Sequence, residues 1–374
     1  MADSNQQQSR WEHSRLYVEA ELFFQRLLDC IGQAKRTIDF EYYIFEHDAL
    51  GERFREALSA ASRRGVRVRV LMDGVGSAAS GAQLSRELFK TGVHVRIYHP
   101  LPWLTDTFRW SRRSGGPLHK FMRFLLNINR RNHRKLCVVD DEIAWVGSFN
   151  IKLDHLPEEA GGLGWRDYGV ELAGPDVSSL VSSFDLIWAS ENPRFHRGFL
   201  SRYLSNRSMS ARRLKNRFVA RSVAQATQRV WLVSAYFAPT AGLRRALLRA
   251  CRRGRDVRLL LPDISDVGFF PSLSSHYYRE LLRAGARIFL FQGGVLHAKA
   301  LLVDRFAIVG SSNWNYRSTL HDLELDAVIR EPETLAQLEQ VIAGDCAQGR
   351  ELQLEQTPKP SLASWLWYAL RYWM

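Results

Sequence analysis

Two stretches with the same pattern decide the fold: HRKLCVVD at residues 133–140 and HAKALLVD at residues 297–304. In each, a histidine is followed two residues later by a lysine, then by four apolar residues and an aspartate. The pattern Gly-Ser-x-Asn follows both, as GSFN at 147–150 and GSSN at 310–313. A repeated motif of this length predicts a duplicated chain with one functional site built from two histidines.

The duplication extends beyond the motif. Residues 36–43 (RTIDFEYY) parallel residues 229–236 (RVWLVSAY), and residues 57–65 (ALSAASRRG) parallel residues 246–254 (ALLRACRRG). Each half therefore shows an apolar strand pattern, a helical pattern that ends at a glycine, and a second apolar strand pattern. Strand, helix and strand at this spacing predict a βαβ unit with parallel pairing.

The predicted fold class is α/β, with two duplicated α/β sandwich domains that form one pseudo-twofold active site. We expect a disordered N-terminus at residues 1–10 and a first domain at residues 11–205. A second domain is expected at residues 206–352, followed by an aromatic C-terminal tail at residues 353–374.

The first half carries an extra segment, at about residues 99–129, that has no counterpart in the second half. It interleaves apolar and aromatic side chains with arginine and lysine, which fits either an interfacial membrane contact or a helical lid on the core. The tail offers the same two interpretations, because Trp365, Leu366, Ala369 and Trp373 recur at helical spacing. For the tail, a helix that docks on the protein is the favoured interpretation.

Composition limits the class of protein. The chain has 374 residues, of which 46% are hydrophobic, which excludes a disordered chain or a disulfide-stapled miniprotein. The four cysteines form no CxxC pair and fit reduced thiols rather than a zinc site. Neither a signal peptide nor a membrane-spanning segment is predicted. The net charge of +13 predicts an anionic partner, either nucleic acid or the phosphate-rich face of a bilayer.

The spacing within the motif suits phosphate chemistry. On a strand, residues two apart share a face, so His133 lies beside Lys135 and His297 beside Lys299. Two imidazoles can supply a nucleophile and an in-line proton donor without a metal, and two lysines can neutralise charge on the phosphoryl oxygens. These four residues are the main catalytic candidates, and no metal or cofactor is predicted.

The remaining motif residues are polar. A returning strand after each motif is expected to bring four candidate phosphate-binding residues beside the histidines: Ser148, Asn150, Ser311 and Asn313. Asp140 and Asp304 complete the motif and are counted with the catalytic candidates. A structural role, holding the strand ends and the lysine network, suits these two aspartates better.

The repeated motif resembles that of the phospholipase D superfamily, whose members split or exchange phosphodiesters through a phosphohistidine intermediate. The resemblance covers nearly the whole chain, from about Leu16 to about Cys346. It implies two phospholipase D-like domains. It also implies that Asp167 and Glu324 are the acids that hydrogen-bond the histidines and fix their tautomers.

Within the superfamily, GSFN with WRD at 165–167, and GSSNWNYRS with LELD at 323–326, are most similar to bacterial cardiolipin synthases. More narrowly, the chain resembles the short form without N-terminal transmembrane helices. The implied activity is that of a phosphatidyltransferase, which moves a phosphatidyl group from one phosphatidylglycerol to another and releases glycerol. We expect His133 to be the nucleophile and His297 the general acid, then base, although the duplication leaves the reverse order open.

The implied partners are an anionic phospholipid membrane surface and phosphatidylglycerol, at the cytoplasmic side of the bacterial cell membrane as a peripheral protein. The alternative is a phospholipase D-family hydrolase or nuclease, for which the net charge of +13 is an equal argument. A small nuclease would not need the aromatic insert or tail, so nucleic acid is the less favoured partner. An inactive binding scaffold is a third alternative, against which both motif copies are intact. The sequence leaves a protein partner unknown.

Overall fold

The structure is a computed structural model that describes residues 11–101, 130–189, 201–357 and 361–372. The N-terminus predicted to be disordered and most of the predicted insert, from residue 102 onward, lie outside the described residues. Elements are numbered below in chain order.

The first half is built on a seven-stranded sheet with the order β1-β7-β6-β5-β2-β3-β4. Strands β2, β3 and β4 are parallel, and the remaining pairs are antiparallel. The strands are β1 (His13–Tyr17), β2 (Thr37–Tyr42), β3 (Arg67–Asp73), β4 (His94–Tyr98), β5 (Lys135–Val139), β6 (Ile143–Gly147) and β7 (Gly169–Ala173). The helices are α1 (Ala20–Gln33), α2 (Ala49–Arg63), α3 (Gly81–Lys90) and α4 (Ser178–Ala189).

The second half is built on an eight-stranded sheet with the order β15-β11-β10-β9-β12-β13-β14-β8. Its strands are β8 (Tyr203–Ser205), β9 (Arg229–Val233), β10 (Asp256–Pro262), β11 (Arg287–Phe291), β12 (Ala300–Val303), β13 (Phe306–Gly310), β14 (Leu325–Ile329) and β15 (Arg350–Glu351). The helices are α5 (Met209–Gln225), α6 (Ala241–Arg252), α7 (Phe270–Arg283), α8 (Tyr316–Leu320), α9 (Pro332–Gln348) and α10 (Leu362–Leu370).

The two sheets repeat one plan, which confirms the predicted fold class. The parallel unit β2-α2-β3 corresponds to β9-α6-β10, and the antiparallel hairpin β5-β6 corresponds to β12-β13. The predicted boundary after residue 205 stays a prediction, and β8, which precedes it, pairs with β14 of the second sheet.

One hydrophobic core joins the halves. It contains apolar side chains from the motif hairpins of both sheets, among them Leu136 and Val146 from the first half and Leu302 and Val309 from the second. Because inward-facing side chains alternate along each strand, the two motif strands lie against a common core. This packing brings the ends of those strands together.

The glycine of each Gly-Ser pair allows two strands to approach closely. A Cβ atom on Gly147 would lie 2.6 Å from the carbonyl oxygen of Tyr168, and one on Gly310 would lie 2.4 Å from the Cα of Asp326. Such contacts are too short for any side chain, so glycine is required at both positions. The serine that follows each glycine is thereby held against the neighbouring strand.

No helix within the described residues combines the length and apolarity needed to cross a bilayer.

Candidate active site

The two motif histidines precede β5 and β12, at the junction of the two halves. The backbone N–H of His133 donates to the carbonyl of Leu323 (2.9 Å), and that of His297 donates to the carbonyl of Arg166 (2.8 Å). Each bond joins the backbone of one half to that of the other. The site therefore lies on the pseudo-twofold axis, and both halves are needed to form it.

Each half supplies the acid that orients the histidine of the other half. Nδ1 of His133 lies 3.1 Å from Oε2 of Glu324, and Nδ1 of His297 lies 2.8 Å from Oδ1 of Asp167. Both carboxyl side chains are fully buried. Because Nδ1 donates to the acid, the lone pair of the neutral imidazole is on Nε2, which is the tautomer a nucleophile or base needs.

Burial keeps both imidazoles neutral. Burial, reinforced by Lys135 and Lys299, lowers the pKa of His133 well below its ordinary value. Burial also lowers the pKa of His297, to about 4, although Asp167 opposes the shift. At neutral pH either imidazole therefore offers a lone pair on Nε2, and an anion bound beside it would raise its pKa and favour the protonated form.

The two lysines face the same space. Burial, reinforced by Lys299, lowers the pKa of Lys135 to about 7, and burial lowers the pKa of Lys299 to about 8. Each ammonium donates to the carbonyl of the histidine two residues earlier, His133 or His297. Two buried cations close enough to lower a pKa define a space suited to an anion.

Sulfate should bind this site more tightly as pH falls from about 9 to about 6.5, because an anion favours the charged form of Lys135 and Lys299. Both pKa values are lowered in the free site, to about 7 and about 8, so binding takes up protons. Calorimetry in buffers of different ionisation enthalpy measures that uptake directly. Lys299→Met should remove the part of the pH dependence near its pKa, and an affinity independent of pH would contradict this electrostatic description.

The two acids differ in their surroundings. Burial would raise the pKa of Asp167, but His297 and His155, which both donate to it, hold that pKa well below its ordinary value. Burial raises the pKa of Glu324 to about 7, even though Lys135 opposes the shift. Asp167 is therefore ionised at neutral pH, whereas Glu324 changes between its ionised and neutral forms at a pH of about 7.

His155 is a site residue that sequence reasoning missed. Its Nδ1 lies 2.7 Å from Oδ2 of Asp167, and its Nε2 accepts the backbone N–H of Asn150 at 3.1 Å. The corresponding acceptor in the second half is Ser318, which receives the backbone N–H of Asn313 at 3.3 Å. Both acceptors lie five residues after the motif asparagine, so aligning the halves in this loop could have located the position.

His155, Asp167 and His297 form one of the clusters that, among the described residues, could hold a metal ion. Hydrogen bonds account for the cluster without one. The N–H of Asn150 points at Nε2 of His155, which places the proton on Nδ1 and directs it to Asp167. The other carboxylate oxygen accepts from His297.

Asp140 and Asp304, counted among the catalytic candidates, lie at the opposite end of their strands from the histidines. Asp140 accepts the backbone N–H groups of residues 35–37, and Asp304 accepts those of residues 227–229. Both have positive φ, 55° and 46°, which aspartate tolerates better than most residues. Each lies seven positions along the chain from its histidine, roughly 20 Å in extended backbone, and on this placement we propose a structural role for both.

Asp140→Asn and Asp304→Asn should lower the free energy of unfolding by about 1–3 kcal/mol, because each carboxylate accepts several backbone hydrogen bonds. Turnover per folded molecule should stay within about threefold of the wild type. Thermal unfolding and active-site titration together separate the two effects. Loss of chemistry in a fully folded variant would restore the aspartates to the catalytic group.

The motif serines hold the site together from within. The hydroxyl of Ser148 donates to the carbonyl of Tyr168, and that of Ser311 donates to Glu324 at 2.5 Å. Both side chains are fully buried. The predicted role as phosphate ligands stays a prediction, and we propose that these hydroxyls also position the strand and the acid.

The motif asparagines remain suited to phosphate. Oδ1 of Asn150 accepts the N–H of Ile44 at 3.4 Å, which leaves its Nδ2 group as a donor. Oδ1 of Asn313 is buried and has no partner among the residues that the structure describes. These amides are the better candidates for contact with a bound phosphodiester.

Aromatic rings line the site. Tyr43 lies 4.8 Å from the ring of His133, and Trp165 lies 5.5 Å from the ring of His297. Tyr236 also lies 6.4 Å from His297. Such walls lower the local dielectric, which strengthens every charge interaction inside.

Comparison with known proteins identifies the family. Residues 27–160 and 219–346 each match the model described as "Cardiolipin synthase, PLD-like domain". Cardiolipin synthase A of Pseudomonas aeruginosa is 33% identical over 356 residues, covering 92% of this chain and 68% of that protein. Cardiolipin synthase of Listeria monocytogenes is 30% identical over 363 residues, covering 93% and 71%. The chain therefore belongs to the family of cardiolipin synthase, PLD-like proteins.

Solved structures share the fold. Phosphatidylserine synthase of Haemophilus influenzae is similar with a TM-score of 0.73 and 14% identity, over 99% of this chain and 96% of that chain. Polyphosphate kinase of Porphyromonas gingivalis is similar with a TM-score of 0.59 and 12% identity, over 96% and 55%. At these identities the likeness concerns the architecture alone.

Proposed function

We propose that this protein is a phosphatidyltransferase of the cardiolipin synthase type, which exchanges one phosphodiester for another through a phosphohistidine intermediate. The observation that supports this most is the pairing of two neutral histidines, each fixed by a buried acid from the other half, around two buried lysines. The family of the chain supports a phospholipid as the substrate.

In the first step, Nε2 of His133 attacks phosphorus and the bond from phosphorus to the leaving glycerol oxygen breaks. That oxygen takes a proton from Nε2 of His297, which is protonated when the anionic substrate binds and becomes neutral in this step. Glu324 stabilises the imidazole ring of His133 as it becomes cationic, through the hydrogen bond to Nδ1. The products of this half-reaction are free glycerol and a phosphatidyl group on His133.

In the second step, a hydroxyl of the acceptor lipid attacks the same phosphorus. Nε2 of His297 accepts the hydroxyl proton, the bond from phosphorus to His133 breaks, and both histidines return to their starting state. Lys135 and Lys299 offset the charge that accumulates on the equatorial oxygens in both steps. Asn150 and Asn313 are proposed to hold the same oxygens.

The asymmetry of the acids supports this order of the histidines. A proton carrier benefits from a permanently ionised partner, and Asp167, beside His297, is such a carboxylate. Burial lowers the pKa of His133 well below its ordinary value, with both lysines adding to the effect, which favours a neutral nucleophile there. We therefore assign nucleophile to His133 and acid, then base, to His297.

The proposed donor and acceptor are both phosphatidylglycerol, and the proposed partner is an anionic membrane surface on the cytoplasmic side of the bacterial cell membrane. The names of the relatives support cardiolipin as the product. The net charge of +13 supports attraction to an anionic lipid surface.

The function is tested with purified protein and vesicles of labelled phosphatidylglycerol, beside a His133→Ala variant. Cardiolipin and glycerol from the wild type alone are the expected products. Phosphatidic acid as the main product would instead make the protein a hydrolase. The absence of any lipid turnover, with cleavage of a nucleic acid, would favour the nuclease alternative.

A further inference from the structure

Two neighbouring helices of the second half expose arginine and no acid. Helices α5 and α6 pack against each other, and neither contains an aspartate or a glutamate. The exposed arginines recur every three or four residues, which places them in one stripe on each helix. The stripes are Arg213, Arg217 and Arg221 on α5, and Arg245, Arg249 and Arg252 on α6.

Among the described residues these six arginines have no acidic partner, and Arg221 donates only to the neutral side chain of Gln225, at 3.4 Å. None of them forms an ion pair in the part of the chain that the structure describes. Other cations of the same helices have internal partners: Arg212 donates to backbone carbonyls, Lys215 pairs with Asp326, and Arg244 pairs with Glu280. The stripes are therefore unneutralised charge on the outer side of the helices.

The C-terminal helix α10 belongs to the same layer of helices as α5 and α6, because α6 packs against α7 and α7 packs against α10. Its inner side is fixed by aromatic contacts, with Trp367 stacked on Phe269 at 4.9 Å and Tyr368 on His276 at 4.0 Å. The prediction that the tail forms a docking helix agrees with these contacts.

The outer side of α10 is apolar and exposed. Leu362 is 88% exposed, and Leu366 and Leu370 continue its stripe. Trp365 is about half exposed, with its ring also in edge contact with His276 at 4.5 Å. A helix that buries one aromatic side and exposes a second apolar side has an unused apolar surface. Tryptophan and leucine on one side, with arginine beside them, are typical of elements that lie in a lipid interface.

The layer reaches the active site. A run of stacked rings leads from Trp367 through Phe269 and Phe270 to Tyr236, which lies 6.4 Å from His297. Just after the C-terminus of α10, the backbone carbonyl of Tyr372 accepts a hydrogen bond from Nε2 of His321 at 2.9 Å. A surface in contact with this layer would thus lie beside the site.

From these observations we propose that the arginine stripes of α5 and α6 and the outer side of α10 form one docking face for an anionic lipid bilayer. This inference rests on the proposed function, and it names the elements that bring the site to its substrate. The arginines attract the anionic headgroups, and Trp365 and its apolar neighbours enter the interface. A nucleic acid would account for the arginines alone, because it offers no place for an exposed leucine and tryptophan stripe.

Three variants of the full chain test the docking face. Arg213→Gln, Arg217→Gln and Arg249→Gln together remove charge from the stripes, and Trp365→Ser with Leu366→Ser removes the apolar contact. The matched control combines three exposed cations of the first half: Arg63→Gln, Arg67→Gln and Lys90→Gln. It changes the net charge by the same amount at a different place.

Two readouts separate docking from chemistry. Flotation with vesicles of phosphatidylcholine, with or without phosphatidylglycerol, measures docking. Turnover of a short-chain phospholipid below its micelle concentration measures chemistry without a surface. We expect the stripe variant to lose on the order of 100-fold in affinity for the anionic vesicles. The α10 variant should weaken binding to a similar extent, the control should bind as the wild type does, and all should turn over monomeric substrate normally.

The proposal would be overturned if the control weakened binding as much as the stripe variant, or if wild type ignored vesicles but bound labelled DNA through the same arginines. Vesicle binding through this face without turnover of any phospholipid would support the docking face and reject the proposed function. The two proposals therefore fail in distinguishable ways.

Discussion

Replacing His133 by alanine should abolish turnover of every phosphodiester substrate, whereas His297→Ala should retain the first step when the leaving group needs no proton. The reason is that only His133 forms a bond to phosphorus, while His297 moves the proton. With a phosphatidyl ester of p-nitrophenol, His297→Ala should give a burst of one nitrophenol per site and then slow by roughly 10²–10⁴ relative to the wild type. Stopped-flow absorbance measures both phases.

The symmetry of the site makes this a strict test. The two histidines have the same motif, the same lysine spacing and an acid from the opposite half, so the reverse order predicts the opposite pair of results. A burst in His133→Ala and none in His297→Ala would reverse the assignment. The Asp140→Asn variant is a suitable control, because that side chain lies at the far end of its strand.

Asp167→Asn should lower kcat by roughly 10³–10⁴ while leaving the protein folded, because an amide can hold His297 in the wrong tautomer and no longer stabilises its charged form. KM should change little, since the side chain is fully buried and does not reach the substrate. His155→Ser should cause a smaller loss, roughly tenfold, because it removes only one of the two N–H groups that keep Asp167 ionised.

The matched control for His155→Ser is Ser318→Ala, at the corresponding position of the second half. Kinetics as a function of pH distinguish positioning from a loss of packing. The His155→Ser variant should move the pH profile, because the pKa of Asp167 rises when a donor is lost. An unchanged profile with reduced stability would mean that His155 only fills space, and full kcat in Asp167→Asn would contradict the role of that acid.

The sequence was sufficient for the architecture because the halves repeat. The parallel units and the motif hairpins could be placed from apolar periodicity and from the glycine that ends each helical pattern. The histidines and lysines could be chosen because a two-residue spacing on a strand puts them on one face. Asp167 and Glu324 were accessible through the family resemblance alone.

What could not be predicted depends on long-range geometry. No spacing in the sequence indicates that Glu324 bonds to His133 and Asp167 to His297. Each acid reaches the histidine of the other half because the two sheets pack through a common core. The serines were expected beside the phosphate because a returning strand follows each motif. The sequence does not reveal that the strand contact allowed by glycine turns the hydroxyl of Ser148 toward Tyr168.

The aspartates illustrate the same limit for local geometry. Asp140 and Asp304 complete the motif and were counted with the catalytic candidates, although a structural role suited them better. Their positive φ values and their bonds to backbone N–H groups place both aspartates in the turn after the motif strand. The constant distance from histidine to aspartate in the sequence therefore reflects the length of that strand.

The most direct test of the account is to trap the phosphatidyl group on the enzyme and locate it. His297→Ala, mixed briefly with the short-chain p-nitrophenyl ester and quenched at alkaline pH, should show by mass spectrometry one added phosphatidyl group on the peptide that contains His133. The same adduct should be absent from His133→Ala. An adduct on the peptide that contains His297, or turnover with no adduct on either histidine, would contradict the account.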